Sequence, residues 1–316
     1  MTTPSLQRRV LVLAHTGRAE ARDVARACVK GLTAHGIAVR LLADEAADLD
    51  LADVDGLVET TRADDEPGEG CELVLVIGGD GSILRAAEIT HATSTPLLGV
   101  NLGHVGFLAE AEQDDVESTI AAIVARDYTA EDRLTLDVCV LVGKEVRFST
   151  FALNEASVEK AARERMLEVV VEVDGRPLSR WGCDGVVCAT PTGSTAYNFS
   201  AGGPVVWPEV EALLMVPLSA HALFARPMVV APTSVLAVEV LSNTEGSGVL
   251  WCDGRRTVDL PPGARIEVRR GARPVRLVRL HHAPFTDRLV AKFDLPVEGW
   301  RGAAERRRRD NGDADA

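Results

Sequence analysis

The chain has 316 residues, long enough for two domains that each bury a core of their own. Its composition, 46% hydrophobic and 26% charged, is that of a soluble globular protein and argues against wholesale disorder. A formal net charge of −13 argues against a generic nucleic-acid binder, which needs a basic surface, yet leaves room for a nucleotide in a local basic pocket.

The six cysteines form no CxxC pair and no metal-ligand spacing, and several lie in apolar runs, so they are expected to be reduced thiols of a cytoplasmic protein. The first residues lack the apolar region of a signal peptide, and no run reaches transmembrane length, so no membrane role is expected.

In chain order, RRVLVLAH (8–15) reads as a buried strand, and RAEARDVARACVKGLTAHG as an amphipathic helix stopped at Gly36. IAVRLLA follows as a second strand, completing a βαβ unit. The acidic stretch from Asp44 to Gly70 reads as a solvated loop with weak helix inside. LVLVIGGDGSILRA (73–86) predicts a third strand, a Gly-rich turn and a helix capped by Ser82; TPLLGVNLGHVGFLAE predicts a fourth strand with another Gly-rich turn. QDDVESTIAAIVARDY is one more amphipathic helix, so residues 1–130 are expected to form an open, mostly parallel, Rossmann-like α/β domain. From 131 to 284 the period shortens to that of strands separated by turn signals such as Asp174-Gly175, which predicts an all-β domain. The tail, 301–316, has no apolar periodicity and is expected to be disordered, its four arginines forming a solvated run.

Three stretches carry chemistry. In Gly78-Gly79-Asp80-Gly81-Ser82 the glycines bring bare N–H groups to the carboxyl end of a strand, where a helix start also favours an anion. The pattern is neither a Walker A loop nor a dinucleotide fingerprint, and a plain capped turn is the competing reading. Asp80 fits a phosphate site either as a ligand of a divalent cation or as acceptor of the proton of an attacking hydroxyl. CDGVVCATPTGSTAYNFSAGGP (183–204) is dense in hydroxyls and glycines around Tyr197, and Asn154-Glu155 in NEASVEK can bond ribose hydroxyls or an amide.

Together, GGDGS, NLGHVGFL, NEASVEK, DGVVCATPTGSTAYNFSAGGP, PLSAHALFARP and WCDG, in this order, resemble the NAD kinase family. TPTGSTAY with SAGGP is specific to that family, whereas GGDGS is shared in part with phosphofructokinases and diacylglycerol-type lipid kinases. The resemblance implies phosphoryl transfer to the 2′-hydroxyl of the adenosine ribose of NAD, giving NADP, with ATP or polyphosphate as donor and a divalent cation, Mg²⁺ by expectation. It also implies a segment, 285–300, that returns to pack on the first domain. By matching position Asp80 would be the proton acceptor, with Gly81 and Arg85 near it lining the nucleotide site, beside the phosphate turn read at Gly78 and Gly79. Asn154, Glu155, Arg165 and Asp184 would hold NAD, and Thr195, Ala196, Tyr197, Asn198, Phe199 and Ser200 would form the substrate loop. A homodimer or homotetramer sharing sites across its interface is implied as well.

Ser82 stands where the family usually has Thr, and Arg255 where it often has Gln, so Arg255 and Gly182 are left out of the expected site; His221 is expected to be structural. A lipid or sugar kinase of related fold, or a non-catalytic NAD(P) sensor, are the competing functions.

Overall fold

The computed structural model describes residues 7–297, apart from 53, 55, 104–105, 113–114, 163–164, 243–246 and 281–283. The expected tail therefore lies outside the described residues, as do His104 and Val105 of the second Gly-rich turn.

Apolar runs without polar interruption become strands covered on both faces. Leu73–Ile77 is buried at every position, as is Leu97–Asn101, and both lie in the first sheet. Among the described residues that sheet has eight strands. Its order runs Val58–Thr61, Ala38–Leu42, Arg9–Ala14, Leu73–Ile77, Leu97–Asn101, Val275–Arg279, Thr129–Arg133, with Ala111–Glu112 also pairing with Leu97–Asn101. The first five are mutually parallel, and Thr129–Arg133 runs antiparallel to Val275–Arg279.

Side-chain alternation sends Val10, Val12, Leu73 and Leu75 to one face, where they meet Ala25, Cys28, Val29 and Leu32 of α1 (Ala19–Ala34) and Ile120 and Ile123 of α4 (Val116–Ala125). The other face sends Leu11, Leu13, Val74 and Val76 against Ile83, Ala86 and Ala87 of α3 (Asp80–Thr90). Each Leu, Val or Ile withdrawn from water in these layers contributes about 1.5–3 kcal/mol. Phe151 and Leu153 from the second half of the chain join the α3 layer and dock the two halves.

Three expectations are corrected. The acidic stretch, beyond the short helix expected in it, α2 (Ala43–Asp48), also contains the edge strand Val58–Thr61, paired in parallel with Val39–Leu42. An edge strand needs one partner only and tolerates polar residues, which hid it among the acids. Helix α3 begins at Asp80 with Gly79 as its N-cap, so Ser82 is its third residue and caps nothing. His221 is exposed; its peptide N–H donates to the Gly182 carbonyl, 2.9 Å, and its ring is not part of the core.

The second half forms two six-stranded antiparallel sheets. Their inner faces share one core, in which Val138, Val169, Trp181 and Val238 of one sheet meet Val158, Val186, Met215 and Leu250 of the other. The chain changes sheets between Glu145–Ala152 and Glu155–Lys160, at Leu153-Asn154. Val275–Arg279, inside the span read from sequence as the β domain, is a strand of the first sheet. After α5 (Tyr197–Ser200) the last described helix is α6 (Phe285–Phe293), whose Phe285 and Phe293 flank Phe107. No helix among the described residues is long and apolar enough to cross a membrane.

Candidate active site

In an open parallel sheet a ligand crevice forms beyond the carboxyl ends of the strands, where the strand order reverses. Here the reversal falls between Arg9–Ala14 and Leu73–Ile77, neighbours from which the order runs outward in opposite directions. The loops that leave those two strands line a crevice of about 640 Å³, through His15–Arg18 and through Gly78, Gly79 and Gly81, with Ser82, Arg85, Asn101 and Arg255. That volume suits a nucleotide. Its cations come from three segments. Arg85 is ion-paired with the buried Glu45, whose second oxygen accepts the Ala14 N–H at 2.8 Å. Burial raises the Glu45 acid, against the pull of that N–H and of Arg85. Arg255 comes from the second half of the chain and pairs with Glu88 of α3 through Nε at 2.8 Å.

Asp80 stands in the chain between Gly79 and Gly81 of this lining but is not itself among the lining residues. Its carboxylate accepts the peptide N–H groups of Phe107, 3.0 Å, and Leu108, 3.1 Å. Such proximity requires a glycine at 106, where an added Cβ would lie 2.4 Å from Oδ1 of Asp80. Two N–H bonds use half the acceptor capacity of a carboxylate and leave lone pairs for a hydroxyl or a cation. Phe107 and Leu108 in turn line a small cavity, about 50 Å³, together with Thr192 and Thr195 of the second half. Asp80 thus stands between the phosphate-type crevice and the TPTGSTAY loop.

That loop is seated by backbone contact. A Cβ at Gly193 would fall 2.0 Å from the carbonyl oxygen of Asn154, so only glycine permits the approach. The Thr190 N–H also donates to that carbonyl, 2.9 Å, and its hydroxyl to the Leu153 carbonyl, 2.6 Å. Thr195 and Ala196 are half-buried, and Tyr197, Phe199 and Ser200 are exposed. Asn198 differs from its neighbours: it is fully buried, and its amide donates to the Ser194 and Pro204 carbonyls, so it braces the loop from inside.

Asn154 and Glu155 are both buried, and Asp253 organises them. Its carboxylate accepts the successive N–H groups of Leu153, 3.0 Å, Asn154, 2.7 Å, and Glu155, 3.4 Å, and pairs with Arg256 at 2.7 Å. Three consecutive N–H groups turned on one carboxylate make an anion nest. This is the work of the Asp in WCDG, and the sequence reading missed it. Burial, the Asp253 charge and Glu159 raise the Glu155 carboxyl to about 8, although the Tyr197 N–H bonds to it. Its Oε2 is buried with no hydrogen-bond partner among the protein groups described. Burial and then the carboxylates of Glu159, Glu155 and Asp184 raise the Tyr197 phenol, which places these groups around one another. Asp184 is half-exposed and paired with Lys160 at 2.5 Å, which lowers its carboxyl. Arg165 is exposed in the connection leading to Leu167–Val173 and is not among the residues lining either cavity.

The loop after the first strand, His15–Arg18, also escaped the sequence reading. Its available signal was position: it leaves the carboxyl end of the strand beside the Gly-Gly-Asp-Gly turn.

Comparison with known proteins agrees with this geometry. Residues 10–128 match the model of the ATP-NAD kinase N-terminal domain, and residues 153–280 that of the ATP-NAD kinase C-terminal domain. A Streptomyces avermitilis protein named NAD kinase 2 is 62% identical over 301 residues, covering 95% of this chain and 99% of its own. A Thermobifida fusca NAD kinase is 59% identical over 305 residues, covering 95% and 93%. Yeast NADH kinase, solved with NADH, superposes with a TM-score of 0.81 at 23% identity, over 93% of this chain and 92% of that one. An Archaeoglobus fulgidus NAD kinase, solved with ATP, superposes with a TM-score of 0.68 at 24% identity, over 92% and 100%. The fold is shared with both structures, and the sequence relatives settle the lineage: this chain belongs to the NAD kinase family.

Proposed function

We propose that this kinase binds ATP in the crevice beyond Arg9–Ala14 and Leu73–Ile77 of the parallel sheet and NAD against the Thr195–Ser200 loop, and moves the terminal phosphoryl group to the 2′-hydroxyl of the adenosine ribose. The observation that carries the reading is the position of Asp80 between the two, held by the Phe107 and Leu108 N–H groups.

In the step, the ribose oxygen attacks the terminal phosphorus and the bond from that phosphorus to the departing ADP oxygen breaks. The hydroxyl proton passes to Asp80 and then to solvent. Catalysis of such a transfer is mostly positioning and charge neutralisation. Gly78, Gly79 and Gly81 supply close backbone approach to the phosphates, and Arg85, Arg18 and Arg255 supply positive charge. Asn154 and Glu155, set by the Asp253 nest, bond the second nucleotide, with Asp184 and Tyr197 beside them.

Among the described residues no group of three His, Cys, Asp or Glu side chains could hold a metal by itself. That donor set suits Mg²⁺, which keeps waters and binds through phosphates with one or two carboxylates, here Asp80. When bound, the cation neutralises charge on the transferring phosphates. ATP is the donor we infer, with polyphosphate as the alternative. A homo-oligomer, no nucleic-acid partner and a soluble, cytoplasmic setting belong to the same proposal.

The test is NADP formation by the purified protein with NAD, Mg²⁺ and either ATP or polyphosphate. Asp80→Asn is expected to lower kcat by about 10²–10⁴ while NAD binding holds. Turnover near wild type would remove Asp80 from the chemistry.

A further inference from the structure

On the proposed reading, the reacting hydroxyl depends on Asp80, and Asp80 depends on a stretch of backbone that helix α6 holds from behind. Arg288 of α6 donates through Nη1 to the carbonyls of Phe107, 3.2 Å, and Ala109, 2.8 Å. Through Nη2 it pairs with Glu110, whose side chain is 2% exposed and also takes Arg279 at 2.7 Å. The peptide unit between Phe107 and Leu108 is therefore gripped at both ends: its C=O by Arg288, its N–H by Asp80. A trans peptide is planar, with C=O and N–H pointing in opposite directions, so rotation about its axis swings both together. Releasing the carbonyl frees the N–H that aligns the Asp80 carboxylate.

The same helix reaches the substrate loop. Phe293 lies 6.0 Å from the Phe107 ring and stacks on Phe199 at 4.7 Å between centroids. Its two ring contacts join the Gly-rich turn of the first domain to Tyr197–Ser200 of the second.

We propose that α6 is a positioning element of the active site, in which Arg288 fixes the Phe107–Ala109 backbone that orients Asp80 and Phe293 registers the substrate loop against it. Arg is required because its planar fork serves two carbonyls and a carboxylate at once; Lys keeps the charge opposite Glu110 but offers a single nitrogen.

The experiment is steady-state NADP formation by Arg288→Lys, Arg288→Gln and Phe293→Ala in the full-length protein, each assayed well below its own melting temperature. The Arg288 variants are expected to lose tenfold or more in kcat with KM for ATP within about twofold, since displacement of a reacting group by about 1 Å can cost up to 10² in rate. Phe293→Ala is expected to raise KM for NAD severalfold. The deciding comparison is Arg288→Lys in an Asp80→Asn background. A residue that acts through Asp80 adds no further loss there, whereas a merely structural one multiplies the two effects. Multiplicative losses, or folded Arg288 variants with wild-type kcat, overturn the proposal. If instead the wild type makes no NADP or Asp80→Asn is fully active, the underlying reading of the site is what fails.

Discussion

Replacing Glu155 with Gln tests the electrostatics of the site without touching its shape. In the folded protein the Glu155 carboxyl is held at about 8 by burial and by the neighbouring Asp253 and Glu159 charges. A Glu in a free chain titrates near 4.5, so between these two values the unfolded chain has released a proton that the fold retains. Stability from this group is thus fully present below the lower value and falls as pH rises through the window. One proton across one pH unit is worth about 1.4 kcal/mol, so at pH 7 the native state carries a penalty of order 3 kcal/mol from this side chain. Gln has the same size and does not titrate. Glu155→Gln is therefore expected to match wild type near pH 5 and to become progressively more stable than it toward pH 8. In a chain of this size each kcal/mol shifts the melting temperature by about 2 °C. Melting curves of both proteins at pH 5, 6, 7 and 8 are the assay. A gap in melting temperature that stays constant with pH would refute the reasoning, because a lost hydrogen bond without a linked proton has no pH slope.

Asp253→Asn removes the charge that three peptide N–H groups and Arg256 share, and is expected to cost about 3–5 kcal/mol with a rise in KM for NAD, read by denaturation and kinetics. Gly193→Ala forces its Cβ into the Asn154 carbonyl and is expected to cost about 1–3 kcal/mol and most NAD affinity, measured by calorimetry. Arg255→Gln breaks a half-exposed pair with Glu88, so stability should change by less than about 1 kcal/mol while KM for ATP rises. Burial holds the thiols of Cys28, Cys183, Cys188 and Cys252 at about 12, so a thiol reagent at pH 8 should modify at most Cys71 and Cys139 in the native protein and all six after unfolding.

Much of the molecule could be read from local pattern. Leu73–Ile77 is apolar throughout because both its faces are covered, and Asp174-Gly175 marks a hairpin because both residues take positive φ, 53° and 71°. Val58–Thr61 escaped notice because an edge strand half in water has no apolar signature. Val275–Arg279 looks like any strand of the β half, since alternation says which face is buried and nothing about which sheet is joined.

The site divides in the same way. The chemical groups of the proposed site, Asp80 among glycines, Asn154-Glu155, and the hydroxyl-rich loop around Thr195, stand out in the sequence by composition and order, as the atoms that the proposed phosphate and ribose ligands call for. Their alignment was not. Asp80 is held by N–H groups 27 and 28 residues away, Asn154 by a carboxylate 99 residues away, and the Phe107 carbonyl by an arginine 181 residues away. Local sequence determines backbone conformation within a few residues. Contacts at these separations arise only when the sheet, the sandwich and the returning helix pack, and they aim the groups that the sequence had already supplied.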